Sequence, residues 1–342
     1  MAIREALAKI VERNDLTENE AAAAMQDIVA GSATPAQIAA FAVALRMKGE
    51  TIDEITGLAR VMRDAALQVD TDGAALDTCG TGGDASGTFN ISTTAAIVAA
   101  AAGARVAKHG NRAVTSQSGS ADVLEALGVA TTLPPAEAGE CLREVGIAFL
   151  FAQAYHPAMA AAGAPRREIG VRTIFNVLGP LSNPARAQHQ LLGVAVPELA
   201  PKMAEVLRRL GSVHALVVYG SDGLDEITLT GPSSVHEVRD GQTRTWTIDP
   251  GELGFTTVAR GGLAGGDPAH NAEIAHSVLR GETSAFRDVV ELNAGAALFA
   301  ADKVASIEEG IKLARQAIST GAAAKKLEQL VSVSQRLKPP TP

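Results

Sequence analysis

Between Asp77 and Gly128 the chain makes three polar turns, the first and third after a short apolar approach, and that repetition leaves few folds open. Ala74 to Leu76 runs into Gly80-Thr81-Gly82-Gly83-Asp84, and Asn90-Ile91-Ser92-Thr93 then opens an alanine-rich helix. Ala104 to Ala107 leads into Lys108-His109-Gly110-Asn111-Arg112. Each turn is expected where a strand hands over to a helix or loop, which in parallel α/β folds is the ligand-binding edge of the sheet.

The chemistry these turns offer is anion binding. Glycines admit φ > 0 and a close backbone approach, and consecutive free N–H groups form a concave nest for phosphate oxygens. A helix start just behind adds free donors and the positive end of its dipole. Ser92 and Thr93 supply hydroxyls, and Lys108 and Arg112 supply cationic charge. Neither standard nucleotide motif fits: no Gly-Lys follows at Walker spacing, and Ala85 stands at the third glycine of GxGxxG. A lone turn of this kind would be read as structural; three in succession are read as a phosphate site.

Around this centre the sequence divides. Thr17 with Glu20, Thr34 with Gln37, and Thr51 with Glu54 are capping boxes, and Pro35 sits at a first helical position. Gly31 and Gly49 stand where helices stop. Four helices are expected, at about 2–13, 18–29, 35–47 and 52–67, forming a helical domain over residues 1–70 with Val69 to Ala75 as linker. From there, residues 74–342, apolar runs such as Ile147 to Phe151, Leu191 to Val196 and Ala215 to Tyr219 alternate with helical patterns, the signature of βαβ units. Val235 to Phe255, with the sole Trp246, reads as a β-rich excursion. Four helices follow, at about 268–280, 285–301, 306–319 and 321–331, before a frayed Pro-rich tail. The fold class is α/β: a small N-terminal helical domain plus a larger α/β domain with a mainly parallel sheet flanked by helices.

Composition narrows the function classes. The formal net charge of −8 gives no bulk attraction to nucleic acid or to anionic membranes. Two cysteines, Cys79 and Cys141, make no disulfide framework, which fits a reducing cytoplasm. The first residues are amphipathic and charged rather than signal-like, and the apolar run near Ala95 to Ala102 is too short to span a bilayer. No nucleic-acid or membrane partner is expected.

Two further constellations carry chemistry. Asp225-Glu226 follows an apolar strand and the turn Gly220 to Gly223. Adjacent carboxylates suit Mg²⁺, which takes one or two of them and completes its set with water and substrate phosphates. Alone the pair would be a solvated acidic loop; beside three phosphate-type turns the metal reading is preferred. Arg166 could bind a carboxylate by two parallel hydrogen bonds, whereas the adjacent Arg167 is read as a surface residue. His109 and His156 lack partners at metal-ligand spacing and are read as stacking or hydrogen-bonding groups.

The motifs GTGGD, NIST and KHGNRAVTSQSGSADVLEALG, with PRREIGVRTIFNVLGPLSNPA (Pro165 to Ala185) and GSDGLDEIT (Gly220 to Thr228), resemble anthranilate phosphoribosyltransferase over nearly the whole chain. The resemblance implies a nucleoside-phosphorylase-like fold in which residues 166–186 return to the helical domain across the cleft. It implies transfer of the phosphoribosyl group of 5-phosphoribosyl 1-pyrophosphate to the amine of anthranilate, the second step of tryptophan synthesis from chorismate. It implies pyrophosphate-substrate contacts at Gly80, Gly83, Asp84, Thr88, Asn90, Ile91, Ser92, Thr93, Lys108, His109, Gly110, Asn111, Arg112, Ala113, Val114, Thr115, Ser116 and Ser120. Anthranilate is then held by Gly80, Asn111 and Arg166, and two Mg²⁺ ions by Ser92, Asp225 and Glu226. A homodimer is implied as well.

An aniline-type amine is neutral at pH 7 and needs no strong base, and pyrophosphate bound to Mg²⁺ needs little protonation to leave. Catalysis by positioning and electrostatics is expected, with no acid–base pair assigned. A nucleoside phosphorylase of the same architecture would need a different base-binding set from Lys108 to Arg112 and Pro165 to Asn183. A nucleic-acid-binding relative would carry a basic stripe and a degraded phosphate loop.

Overall fold

All three threonine capping boxes form. Thr17, Thr34 and Thr51 accept from the amides of Glu20, Gln37 and Glu54, whose side chains bond back to the cap amides. They start α2 (Glu18–Val29), α3 (Pro35–Lys48) and α4 (Ile52–Asp64), which with α1 (Ala2–Val11) build the helical bundle. The computed structural model describes residues 1–113 and 117–340.

The α/β part follows as β1 (Leu76–Gly80), α5 (Ile91–Ala101), β2 (Val106–Gly110), α6 (Ser120–Ala126), α7 (Pro135–Val145) and β3 (Ile147–Phe151). An excursion holds α8 (Ala152–Tyr155), α9 (Ala160–Ile169) and α10 (Ile174–Leu178). Then come β4 (His189–Gly193), α11 (Leu199–Arg209), β5 (His214–Gly220), β6 (Ser233–Arg239) and β7 (Gln242–Ile248). Four helices close the chain: α12 (Pro268–Leu279), α13 (Ala285–Ala300), α14 (Ile307–Ser319) and α15 (Ala322–Leu337).

The strands form one sheet in the order β3-β2-β1-β4-β5-β6-β7. The first five are parallel, and β6 and β7 extend the sheet as an antiparallel hairpin. The chain leaves β1 toward β2 on one side and returns later to β4 on the other. Their carboxyl ends therefore flank a topological switch point, where open α/β sheets bind ligands.

Both faces of the sheet are covered. Alternate strand residues such as Leu76, Leu191, Leu216 and Val218 join a core with α5, α7, α13 and α15. Leu192, Val194, Ala215 and Val217 face the other way, into a core shared with α11 and the N-terminal helices. The helical bundle is thus fused to the sheet through α11, and α9 and α10 also pack on α3.

Three expectations shift. Lys108, His109 and Gly110 belong to β2 rather than to a turn, because β2 lies between β1 and β3 and Lys108 pairs with Phe149 in the interior. The strand expected at Leu191 to Val196 starts earlier, at His189, and ends at Gly193. The last helix runs on to Leu337, since Val333 and Ser334 are buried and Ser334 Oγ accepts from the Ala130 amide at 3.0 Å. Helices α6, α7 and α9 add to the expected elements, and α7 starts on Pro135 and ends on Gly146 in a left-handed conformation.

Candidate active site

The site is built on a pair of glycines. Gly80 and Gly193 end β1 and β4 and stand opposite each other in the sheet register. A Cβ on Gly193 would fall 1.5 Å from the Asp225 carbonyl oxygen, and one on Gly80 would fall 2.4 Å from Asp225 Oδ2. Only hydrogen at both positions lets the loop after β5 lie down onto the switch point.

Side chains behind the carboxylates, among them the buried Asn293 and Thr228, fix that loop. Asn293 of α13 accepts from the Ile227 amide at 3.0 Å and donates to the Ile227 carbonyl at 2.8 Å. Asp222 accepts from the Thr228 and Thr230 hydroxyls at 2.9 and 2.7 Å. Asp225 then accepts from the Gly82 amide at 2.7 Å, and Glu226 accepts from the Ser92 amide, at the start of α5, at 3.1 Å. The two carboxylates, the glycine turn and a helix N-terminus meet at one point.

Electrostatics make this point a cation site in waiting. Both carboxylates line the cleft floor but are densely surrounded by protein. Desolvation, helped by Asp84, raises Asp225 to about 6, and desolvation with Asp225 raises Glu226 to about 8. Near neutral pH Glu226 therefore tends to hold a proton that an arriving cation would replace, and Asp225 does so only below about pH 6. Two carboxylates and the Ser92 hydroxyl fit Mg²⁺, which fills its other positions with water and substrate oxygens. Among the described residues no cluster of three or more His, Cys, Asp or Glu could hold a metal unaided.

Beneath them lies Lys108, almost wholly buried, with Nζ donating to the carbonyl and, at 3.4 Å, to the hydroxyl of Thr78. Burial lowers its pKa, while Asp77, Cys79, Glu226 and Asp225 act to raise it. Asp77 is fully buried and is raised to about 6 by desolvation. Its carboxylate accepts from the His109 amide at 3.0 Å and from Asn183 Nδ2 at 2.8 Å. Asn183 also donates to the Ala107 carbonyl at 2.8 Å, which ties the excursion to β2.

The remaining expected residues surround the opening. Asn90 is held through its side chain by Ser118 and by Asn271 of α12, at 3.1 and 3.0 Å. Ile91 and Thr93 are buried in the first turn of α5, and Ser92 is half-buried. Thr88 bridges Ala264, and Gly83 lies exposed at the rim beside a half-buried Asp84. A Cβ on Gly110 would meet Ser120 Oγ at 2.2 Å, and Ser120 Oγ donates to the Asn111 carbonyl at 3.2 Å. Arg112 pairs with Asp122 at 2.9 Å and Glu125 at 2.6 Å, and the Ala113 amide also donates to Asp122. Val114, Thr115 and Ser116 lie outside the described residues.

Arg166 projects from α9 over the Phe175 ring, 5.5 Å from its centroid, and burial alone lowers its pKa. Arg167 is exposed. His109 and His156 lie with ring centroids 5.2 Å apart, and both Nε2 atoms are buried without a partner among the described residues. Burial lowers them to about 3 and about 4, so both are neutral at pH 7.

The structure adds one residue to the cleft that sequence reasoning misses. Arg172, from the loop between α9 and α10, donates Nη2 to the Thr81 carbonyl at 2.9 Å, within the glycine turn. Its one sequence signal is its place in the motif beginning at Pro165.

A helical bundle fused to an α/β domain with an anion-type cleft at the switch point is the architecture of a glycosyl transferase family. Its helical bundle domain matches residues 4–66, and its a/b domain matches residues 72–324. Within that class the chain is 57% identical to anthranilate phosphoribosyltransferase of Roseiflexus castenholzii, covering 98% of this chain and 99% of that one. It is 54% identical to the Symbiobacterium thermophilum enzyme, over 97% and 98%. Among solved structures it resembles anthranilate phosphoribosyltransferase of Thermus thermophilus, with TM-score 0.91, 45% identity, and coverage of 96% and 99%. The Saccharomyces cerevisiae enzyme in complex with PRPP and Mg gives TM-score 0.89 at 27% identity, covering 98% of both chains.

The chain belongs to the anthranilate phosphoribosyltransferase family. It transfers the phosphoribosyl group from 5-phosphoribosyl 1-pyrophosphate to anthranilate, the second step of tryptophan biosynthesis from chorismate.

Proposed function

We propose that the cleft at the switch point holds 5-phosphoribosyl 1-pyrophosphate and Mg²⁺ together, with anthranilate presented from the excursion side. The observation that carries this reading is the meeting of Asp225 and Glu226 with the Gly82 and Ser92 amides. Ser92, Asp225 and Glu226 hold the metal, taken here as two ions per subunit. The yeast relative solved with PRPP and Mg supports the pairing of these ligands.

Each group then has a task. The Gly83 and Asp84 amides and the start of α5 face the pyrophosphate, with Thr88 and Asn90 to Thr93 around it, while the Thr81, Gly82 and Ser92 amides are engaged by Gly193, Asp225 and Glu226. The segment Lys108 to Ala113 and Ser120 complete that surface. Mg²⁺, when bound, supplies positive charge against the leaving group. Lys108 contributes a fixed cation below the carboxylates, and its ties to Thr78 keep it from reorganising as charge develops. Arg166 and Asn111 orient anthranilate by its carboxylate, beside Gly80. The yeast relative solved with 4-fluoroanthranilate supports a binding place for this ring. The neutral His109–His156 pair offers a desolvated face, with both Nε2 atoms buried and without a partner among the described residues. The amine attacks the ribosyl carbon as a neutral nucleophile while the C1–O bond to pyrophosphate breaks, and the acidic proton of the resulting arylammonium passes to pyrophosphate or water, so placement replaces a strong general base.

We read residues 1–70, with 166–186, as the helical domain and 74–342 as the α/β domain. Exposed Val11 and Met47 on that bundle support a homodimer through it. We place the protein in the cytoplasm; no helix among the described residues is long and apolar enough to cross a membrane.

The test is loss of anthranilate fluorescence on mixing with 5-phosphoribosyl 1-pyrophosphate and Mg²⁺. Turnover should need all three components and should be lost in Asp225→Asn/Glu226→Gln. Full turnover by that variant would overturn the site assignment.

A further inference from the structure

Arg172 is placed as no side chain in a merely structural loop needs to be. Its Nη1 lies over Gly83 so closely that a Cβ there would be 1.5 Å away. Gly83 has φ +76°, and the absence of a side chain at that position is what admits the guanidinium. Nη2 donates to the Thr81 carbonyl at 2.9 Å, so one edge of the fork is anchored on the turn and the rest of it lies at the cleft. The residue is half-buried, and Asp225 and Asp84 act to raise its pKa against desolvation. Arg46 of α3 donates Nη1 to the Arg172 carbonyl, which ties this loop to the helical bundle.

Asp84, Asp225 and Glu226 concentrate acidic groups at the switch point, and Arg172 is a side-chain cation lying across the turn beside them. A guanidinium presents several N–H donors in a planar fork matched to phosphate oxygens, and it stays charged when desolvated. A pyrophosphate seated on the turn at the Gly83 and Asp84 amides, beyond the Thr81 and Gly82 amides that Gly193 and Asp225 occupy, would lie against that fork.

We propose that Arg172 is a further pyrophosphate-binding residue, which closes over the leaving group from the helical-domain side and holds it against the glycine turn. The proposal rests on the reading of Gly80 to Asp84 as the phosphate site. It assigns the excursion between β3 and β4 a second substrate contact, directed at the pyrophosphate, beside the one Arg166 makes to anthranilate. The two arginines give the excursion one contact to each substrate, so that docking of the bundle side is sensed by both.

The experiment is calorimetric titration of inorganic pyrophosphate in the presence of Mg²⁺ into wild type, Arg172→Ala, Arg172→Lys, Arg46→Ala and Asp225→Asn/Glu226→Gln. Hydrogen bonds to charged groups predict that Arg172→Ala raises Kd by about 10- to 100-fold. Arg172→Lys should recover part of the affinity, because a point charge remains without the fork. Steady-state kinetics should show KM for phosphoribosyl pyrophosphate rising in Arg172→Ala while KM for anthranilate changes by less than about twofold. Wild-type affinity in Arg172→Ala, with affinity lost in the carboxylate variant, would overturn this proposal and leave the phosphate site standing. An equal loss in Arg46→Ala, which keeps the guanidinium but cuts the tie to α3, would show a latch and also overturn it. Failure of wild type to bind pyrophosphate would overturn the phosphate site and this proposal with it.

Discussion

Gly80 and Gly193 stand opposite each other at the carboxyl ends of β1 and β4, and the notch between them is filled by Asp225. Gly193 meets the backbone of Asp225, whereas Gly80 meets the end of its side chain. The two positions should therefore fail differently. Gly193→Ala has to move a loop that Asn293 pins from behind, and overpacking of this kind costs about 1–3 kcal/mol. Its melting temperature should drop and kcat/KM should fall at least about tenfold, as displaced contacts at a reacting site do. Gly80→Ala should melt close to wild type yet lose affinity for phosphoribosyl pyrophosphate, because Oδ2 must swing away from the Gly82 amide. Thermal melts with substrate titrations check both, and wild-type behaviour in Gly193→Ala would contradict the notch.

Arg166→Ala should impair anthranilate use far more than phosphoribosyl pyrophosphate binding. Removing one partner of a desolvated charge pair costs about 2–5 kcal/mol in the affected step. Arg166 is half-buried over Phe175, and burial alone shifts its pKa, which suits the proposed role as partner of a substrate carboxylate. Steady-state kinetics with each substrate varied in turn decides the matter. An unchanged KM and turnover for anthranilate would remove Arg166 from the site.

The acidic pair also has a stability signature. Asp225 and Glu226 are raised to about 6 and about 8, from the 3.8 and 4.5 of ordinary carboxyls. Between about pH 4 and pH 8 the folded metal-free protein holds protons that the unfolded chain has released. Their contribution is full below about pH 4 and is lost as pH rises through 6 and 8. Asp225→Asn/Glu226→Gln lacks this loss, so its melting temperature relative to wild type should climb from pH 4.5 to pH 8, by on the order of 5 °C. His109 and His156, lowered to about 3 and about 4, act in the opposite sense. They are common to both proteins and leave the difference intact. A difference that stays flat with pH in chelator-treated protein would show the carboxylates to be ordinary solvated groups.

Much of this arrangement is legible in the sequence because its signals are local. A capping box spans four residues, so the starts of α2, α3 and α4 can be read directly. The glycine turn, the opening of α5 at Asn90 to Thr93, and the adjacency of Asp225 and Glu226 are likewise short-range patterns. What stays hidden depends on pairing across the fold. Gly193 is an isolated glycine whose need appears only once β1 and β4 are neighbours and Asp225 lies above them. Lys108 has the sequence context of a turn cation, but the strands on either side of β2 bury it. Asn90 is expected as a ligand contact, and its amide is engaged with Ser118 and Asn271, the latter from α12. Arg172 and Asn183 act across the cleft from an excursion whose composition suggests only an irregular connection.

The most direct test is of linkage between metal and substrate. Two carboxylates and a hydroxyl form an incomplete set for Mg²⁺, so the free protein should bind the ion weakly, and pyrophosphate oxygens should supply what is missing. Each ligand should then tighten the other by the same factor. The measurement is a titration of 5-phosphoribosyl 1-pyrophosphate with and without Mg²⁺, on wild type and on Asp225→Asn/Glu226→Gln. Mg²⁺ should strengthen substrate binding to wild type by at least about tenfold, within the usual range of coupling between sites, and should lose most of that effect in the variant. Equal strengthening in both proteins would contradict the account, because these carboxylates would then not hold the metal.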